Sequence, residues 1–420
     1  MYAKIRTSLL AAGISSLAVL AVPAHATDGY FLNGVGAKAK GAGGASIADA
    51  QDSLGIVANP AAATEIGARL DVGVEIFIPD RGAAISGNGA GLNGKFSGNG
   101  ANPFVLPEFG YVRPLSDKVA LGIAISGNGG MNTVYKHNPF ASFGATGAAG
   151  VDLKQIFISP TLAVRLAEGQ SVGVSPVIMV QGFRAIGIQP FAAASADPAH
   201  FTNRGTDWAA GAGVRIGWLG RFGKAFSAGA FYQSKISSGR FDKYAGLFSD
   251  KGSFDVPASW GFGVAVRPVD RLTIAADFKR IEYAGVASVG NPLSVLFTGT
   301  PFGAKDGPGF GWRNISVYKV GLTYKASERI TLRTGYGRSG NPVPSSETLL
   351  NILAPGVVRD HYTLGATWTP SSGPEVTGFV MHAPSQTVKG SGSIPAPYGG
   401  GEADVRLGET SFGLSFGFRL

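Results

Sequence analysis

The chain has 420 residues, with 36 Lys and Arg against 27 Asp and Glu, 64 glycines and no cysteine. Without cysteine there are no disulfides, thiolate metal sites or cysteine nucleophiles. The formal net charge of +9 comes from basic residues scattered singly, which argues against a polyanion groove and against a nucleic-acid partner.

In chain order, the first element reads as an export address. Lys4 and Arg6 form a basic start, Leu9 to Val22 is apolar, and Ala24-His25-Ala26 supplies a small-x-small cleavage signal. The apolar stretch is shorter than the roughly 20 residues of a membrane-spanning helix. Residues 1–26 are therefore expected to be a signal peptide cleaved before Thr27. Beyond it no apolar run is long enough to span as a helix, so a membrane location requires a closed barrel, in which every backbone group is paired.

Thr27 to Gly67 is rich in Gly and Ala, nearly uncharged and without β alternation, and it ends in Ala58-Asn59-Pro60-Ala61-Ala62. Its scattered apolar residues, Tyr30, Phe31, Leu32, Ile47 and Leu54 among them, predict burial as a partly helical hatch inside a wide barrel. The expected domains are thus the signal (1–26), the hatch (27–67) and the barrel (68–420).

From residue 68 onward, segments alternate with period two. Phe412, Leu414, Phe416, Phe418 and Leu420 fall on one face of the last segment, and Ser411, Gly413, Ser415, Gly417 and Arg419 on the other. Leu272, Ile274, Ala276 and Phe278 oppose Thr273, Ala275, Asp277 and Lys279 in the same way. There are 14 such segments: 68–78, 103–113, 118–134, 155–166, 170–184, 207–219, 225–236, 253–267, 271–284, 313–325, 329–338, 358–369, 374–383 and 407–420. Short connections, such as Pro114–Asp117 and Ala167–Gly169, alternate with long ones, such as 79–102 and 185–206. That alternation predicts an all-β, up-and-down transmembrane barrel of 14 antiparallel strands with long extracellular loops.

No catalytic or metal constellation emerges. Gly169 to Gly173 and Gly413 to Gly417 match GxSxG, but the first lies at a turn entering a strand and the second lies inside a strand, where a nucleophile elbow needs a strand, a sharp turn and a helix. His137, His200, His361 and His382 are isolated from one another. Glycine runs such as Gly87 to Gly91 precede no helix that could hold a phosphate. The loops carry a different signal. Ile186 to Phe201, Phe241 to Phe248 and Pro292 to Phe302 are apolar, which suits capture of poorly soluble molecules, with Phe191, Phe201, Phe241, Tyr244 and Phe248 as candidate ligand contacts.

Gly29-Tyr30-Phe31-Leu32-Asn33, the Gly41 to Ala45 stretch, Ile47-Ala48-Asp49 and Asn59-Pro60-Ala61 together resemble the start of the FadL/TodX family of outer-membrane transporters for long-chain fatty acids and aromatic hydrocarbons. Tyr318 to Tyr324, Ile330 to Gly335, Pro342-Val343-Pro344 and His361 to Thr369 continue the resemblance in the same order. It implies a hatch containing Tyr30, Asn59 and Pro60, and lateral release at a kinked third strand around Asn128, Gly129 and Gly130. The glycines there also permit backbone angles that break regular pairing. The chain departs from the pattern at its end, which is Leu420 where such barrels usually finish in Phe.

The expectation is a non-enzymatic, passive channel for hydrophobic compounds, monomeric and without cofactor or metal. Its partners would be its cargo, outer-membrane lipid and lipopolysaccharide, and the barrel-assembly machinery through the C-terminal strand. The alternative is a general or substrate-specific porin with a polar channel. A barrel hydrolase is more remote.

Overall fold

The computed structural model describes residues 28–420; the expected signal peptide lies outside them. Fourteen long strands form one antiparallel sheet: β1 (Arg69–Ser86), β2 (Phe104–Pro114), β3 (Val119–Asn132), β4 (Gly150–Ala167), β5 (Gln170–Ile186), β6 (Asp207–Phe222), β7 (Phe226–Gln233), β8 (Ser259–Val269), β9 (Leu272–Ile281), β10 (Ile315–Lys325), β11 (Ile330–Ser339), β12 (Asp360–Trp368), β13 (Glu375–Val388) and β14 (Glu402–Arg419). Each pairs with its sequence neighbour, and β1 pairs with β14 from Arg69↔Arg419 to Ser86↔Glu402, which closes the barrel. Two short strands, Gly94–Ser97 and Ser237–Ser238, pair with β1 and β6 inside the long connections.

All fourteen expected strands are present, with adjusted ends. β1 runs to Ser86 rather than 78 and β14 begins at Glu402 rather than 407, because these two strands pair with each other over their full length. The expected strand 253–267 begins only at Ser259, since Phe254 and Val256 turn into the loop core and are fully buried.

Alternation sets the two faces. Phe412, Leu414, Phe416 and Phe418 are exposed on the outer wall, while Ser411 and Ser415 are buried in the lumen. Trp208, Trp260, Tyr318 and Tyr362 stand outward near the long-connection end and Tyr324 and Trp368 near the turn end, two aromatic girdles around an apolar band. At the long-connection end the loops fold over the lumen. Their apolar side chains, including Phe140, Phe191, Phe201, Phe241, Phe248 and Phe302, form one continuous cluster with upper-strand residues such as Phe183 and Val151.

The N-terminal segment packs against the inward side chains of the wall. Its elements are short: helix α1 (Ala37–Gly41), 3-10 turns at Ser53–Val57 and Pro60–Ala62, and a last helical turn, Ala63–Ile66. Nearly every residue from Asp28 to Ala63 is buried or half-buried. Small wall residues permit the close approach. A Cβ on Gly335 would lie 2.2 Å from the backbone nitrogen of Gly43, and one on Gly173 would lie 2.4 Å from the carbonyl carbon of Pro60. Glycine on the inner face thus reflects backbone against backbone.

Charge fixes the segment in place. The Lys40 ammonium contacts Glu75 of β1 and Glu108 of β2, each at 2.5 Å. Lys38 meets Glu375 of β13 at 2.7 Å, and Glu375 also accepts from Arg69 at 2.6 Å. The backbone N–H groups of Ser46 and Ile47 donate to Asp277 of β9 at 2.7 and 3.0 Å. Buried pairs of this kind gain little net stability, but removing one partner strands a charge at a cost of about 3–5 kcal/mol. They therefore specify one seating of the segment.

Candidate functional site: a wall opening beside a lined cavity

Strand β3 is paired on both sides only along its lower half. Its ladder with β2 runs from Pro114↔Ala120 to Phe109↔Ile125 and stops there. Above that level Phe104 to Glu108 pair with β1 alone, and Ser126 to Asn132 pair with β4 alone. The β3–β4 register shifts between Gly127 and Gly129, leaving Asn128 as the extra residue. Gly129 takes a φ of 132°, which disfavours any side chain there.

Over this stretch the edges of β2 and β3 are not hydrogen-bonded to each other. Above it, the Gly100 N–H donates to the Val134 carbonyl and the Val134 N–H donates to the Gly98 carbonyl, both at 2.9 Å. On the luminal side the N-terminal segment meets the bulge. Leu32 N–H donates to the Asn128 carbonyl at 3.0 Å, and Phe31 forms a β-bridge with Gly129. The Asn128 side chain is held by Gln155 of β4 at 2.9 Å.

A cavity of about 90 Å³ reaches this bulge. Gly127 and Asn128 line it on the wall side, with Phe31, Leu32, Phe157 and Phe231 as apolar walls. Three cations face the same space. Lys319 pairs with Asp28 at 3.0 Å and donates to the Asn33 carbonyl. Arg215 donates to the Val57 carbonyl and to Gln233. Lys279 stands 4.7 Å from the Phe31 ring centre and has no carboxylate partner among the described residues. The cavity is thus apolar over most of its wall, with the three cations and the Asp277 carboxylate among its polar lining.

Tyr30, beside Phe31, is fully buried against Tyr283, Trp312 and Phe254, and burial pushes its phenol up. Its N–H donates to the Tyr283 hydroxyl at 3.1 Å. Asn59 caps the turn that begins at Pro60: its side-chain oxygen accepts from Ala61 N–H at 3.1 Å, and its amide donates to the carbonyls of Ile47 and Trp218, each at 2.9 Å.

A second cavity, about 40 Å³ and almost wholly apolar, lies in the loop core. Phe191, Phe201 and Phe248 line it, together with Phe183, Phe302 and Leu350. Phe241 and Tyr244 are packed behind, against Phe183, and do not line it. All five side chains picked from the loops are buried, so their faces open to an internal space and not to an outer patch.

Sequence reasoning passed over Arg215, Lys279 and Lys319 as cavity residues. The signal was present in the alternation, which sets Lys279 and Lys319 on the face opposite the apolar one; a charge there must be accommodated inside. Arg215 lies between Val214 and Ile216, and it too could have been read this way.

Residues 17–379 match the family model described as outer membrane protein transport protein (OMPP1/FadL/TodX). The chain belongs to the FadL/TodX family. Among curated proteins, none matches this sequence. A Pseudomonas aeruginosa FadL homologue of known structure is similar at 18% identity and a TM-score of 0.69, over 93% of this chain and 99% of that one. The P. putida toluene transporter TodX gives 16% and 0.67 over 92% and 99%, and the Ralstonia pickettii toluene transporter TbuX gives 15% and 0.64 over the same shares. At those identities the likeness concerns the fold. A FadL/TodX barrel closed by 14 strands places this protein in the outer membrane, with its long connections as outer loops.

Proposed function

We propose that this FadL/TodX protein is a passive channel for hydrophobic compounds such as long-chain fatty acids or aromatic hydrocarbons. One observation carries the reading: the cavity beside Phe31 and Leu32 extends to Gly127 and Asn128, where β3 has lost its pairing with β2. The named cargo of the toluene transporters TodX and TbuX is consistent with it.

In this reading cargo enters the apolar loop cavity at Phe191, Phe201 and Phe248, passes to the cavity against the N-terminal hatch, and leaves sideways past Asn128, Gly129 and Gly130 into lipid. Each station is mostly apolar, so every move avoids exposing the cargo to water, at about 25 cal/mol per Å² of apolar surface. The flow needs no energy input. A polar porin is disfavoured because the N-terminal segment packs against the inward side chains of the wall, with Lys40 paired to Glu75 and Glu108.

The test is uptake into proteoliposomes of a panel containing a long-chain fatty acid, toluene and a sugar. Uptake of the first two and exclusion of the sugar supports the reading. Rapid sugar entry would establish a porin.

A further inference from the structure

Between the last β2–β3 pair, Phe109↔Ile125, and the contacts of Val134 with Gly98 and Gly100, the facing edges of the two strands are without a ladder. Unpaired backbone groups are costly in a wall that faces lipid, and edges that leave one hairpin side by side tend to zip together. Something must therefore hold them apart. Below the break β3 alternates between outer and inner residues, but from Asn128 to Asn132 every residue is buried. Upper β3 is thus covered on both faces, as a strand drawn in from the lipid surface would be.

One side chain reaches across at the top of the break. Arg81 points inward from β1 and is only 2% exposed. Its Nη1 donates to the Asn132 carbonyl at 2.6 Å and to the Asn132 side chain at 3.0 Å, both on β3. Its Nη2 donates to the Ala101 carbonyl and the Asn102 side chain, each at 2.7 Å, in the segment that leads into β2. The Asn99 side chain accepts from the Arg81 backbone N–H at 2.8 Å and from Nε at 3.4 Å.

The partners are themselves fixed. Asn132 donates to Asp152 of β4 at 3.1 Å, and Asn102 donates to the Pro79 carbonyl of β1 at 2.8 Å. A chain of bonds thus runs from β1 through Asn102, Arg81 and Asn132 to β4, past the edges that do not pair. In a ladder a carbonyl takes the N–H of the facing strand directly, at about 2.9 Å. Here a guanidinium stands between the Ala101 and Asn132 carbonyls, so one group both links them and keeps them apart. Lysine could not replace it, because an ammonium presents no rigid fork to acceptors on two sides.

We infer that Arg81 is a positioning residue for lateral release, a spacer that holds upper β3 inward and stops it from pairing with β2. The inference rests on the reading of the protein as a channel that releases its cargo at this stretch. Without the spacer, β3 is free to move out and pair with the Phe104 to Glu108 edge, and the break narrows. Wide cargo then suffers more than slim cargo.

Uptake of hexane and of tert-butylbenzene into proteoliposomes tests it, with amide exchange of residues 104–108 and 126–132 followed by mass spectrometry. The unaltered protein should pass both hydrocarbons; a barrel that already excludes the wider one has no wide passage to lose, and the spacer role falls. In Arg81→Met, hexane uptake should stay within about threefold, tert-butylbenzene uptake should fall at least about tenfold, and amides on both edges should exchange about tenfold more slowly as new bonds protect them. Arg81→Lys keeps the charge without the fork and should behave like Arg81→Met; recovery by lysine would make this a charge effect and overturn the spacer. Resistance to unfolding in cold detergent reports assembly of each barrel. Asn102→Ala removes one arm with Arg81 in place, decides the matter if the Arg81 variants do not assemble, and should slow tert-butylbenzene alone by at least about threefold. Faster exchange, or equal losses for the two hydrocarbons, overturns the spacer and leaves the channel reading standing. Failure of the unaltered protein to take up either hydrocarbon would sink both.

Discussion

Leu32 and Asn128 are joined by a single backbone hydrogen bond of 3.0 Å, and that bond ties the N-terminal hatch to the one residue of β3 that the ladder leaves out. The N-terminal segment and the unpaired stretch of β3 therefore share a contact.

Gly129 sits in that contact with a φ of 132°. Gly129→Val forces a β-branched residue into a conformation it rarely adopts, at a cost on the order of 1–3 kcal/mol, and places a side chain at the opening. Hydrophobic uptake should fall at least tenfold while the barrel still assembles. Normal uptake by an assembled Gly129→Val protein would remove the lateral route and send the cargo down the lumen.

Lys40 should be the anchor whose loss is felt most, because Glu75 and Glu108 both depend on it. Lys40→Met strands two buried carboxylates and should loosen the hatch by about 3–5 kcal/mol. Single-channel recordings in planar bilayers should then show higher and noisier conductance, approaching that of a barrel lacking Tyr30 to Ala58. Adding Glu75→Gln and Glu108→Gln should recover much of the quiet state. An unaltered trace from Lys40→Met would mean that the hatch is held elsewhere.

Asp52 gives the hatch a pH dependence. Burial, then the nearby Asp71 carboxylate, raises its carboxyl from the ordinary 3.8 to about 6. A carboxyl raised in the folded chain contributes stability below its unfolded value and loses it as pH rises through the folded one. Protection of the hatch from protease should therefore decline between about pH 4 and pH 6 and then level off. Asp52→Asn keeps an acceptor for the Leu54 N–H, bound at 3.1 Å, and should flatten the curve at its protected level. A slope that persists in Asp52→Asn assigns the effect to another group.

The strands were legible because lipid and lumen impose opposite demands on adjacent residues: Phe412 and Ser411 could not exchange places. The hatch was legible only as composition. Its seating depends on pairs such as Lys38 with Glu375, which no local pattern connects. The loop aromatics were visible as apolar, but a run of Phe and Tyr reads the same whether it faces water or a covered space, and Phe241 and Tyr244 proved to be packing behind the cavity.

Lys279 is expected to separate cargo classes. Its ammonium faces the cavity with the Phe31 ring at 4.7 Å and no salt-bridge partner among the described residues, while Asp277 lines the same cavity. Lys279→Met should weaken binding of a fatty acid by about tenfold, the value of a charge-assisted bond, and leave toluene binding within about twofold. Equal losses for both would make Lys279 a wall residue only.

Filling the loop cavity tests entry separately from exit. Leu350→Trp adds bulk to the cavity lined by Phe191, Phe201 and Phe302, and by Val151 and Phe183 at the upper ends of β4 and β5. Uptake rates at low cargo concentration should drop several-fold, while conductance and assembly hold. No change in rate would confine the loop aromatics to packing.

The distance along the chain between Lys38 and Glu375, 337 residues, also bears on how the molecule is made. Lys38 cannot reach Glu375 until β13 has been added to the sheet, whereas the partners of Lys40, Glu75 and Glu108, lie on the first two strands. The segment made first is thus tied at one end of α1 to the first strands and at the other to one of the last, and its seating is complete only when the sheet nearly is.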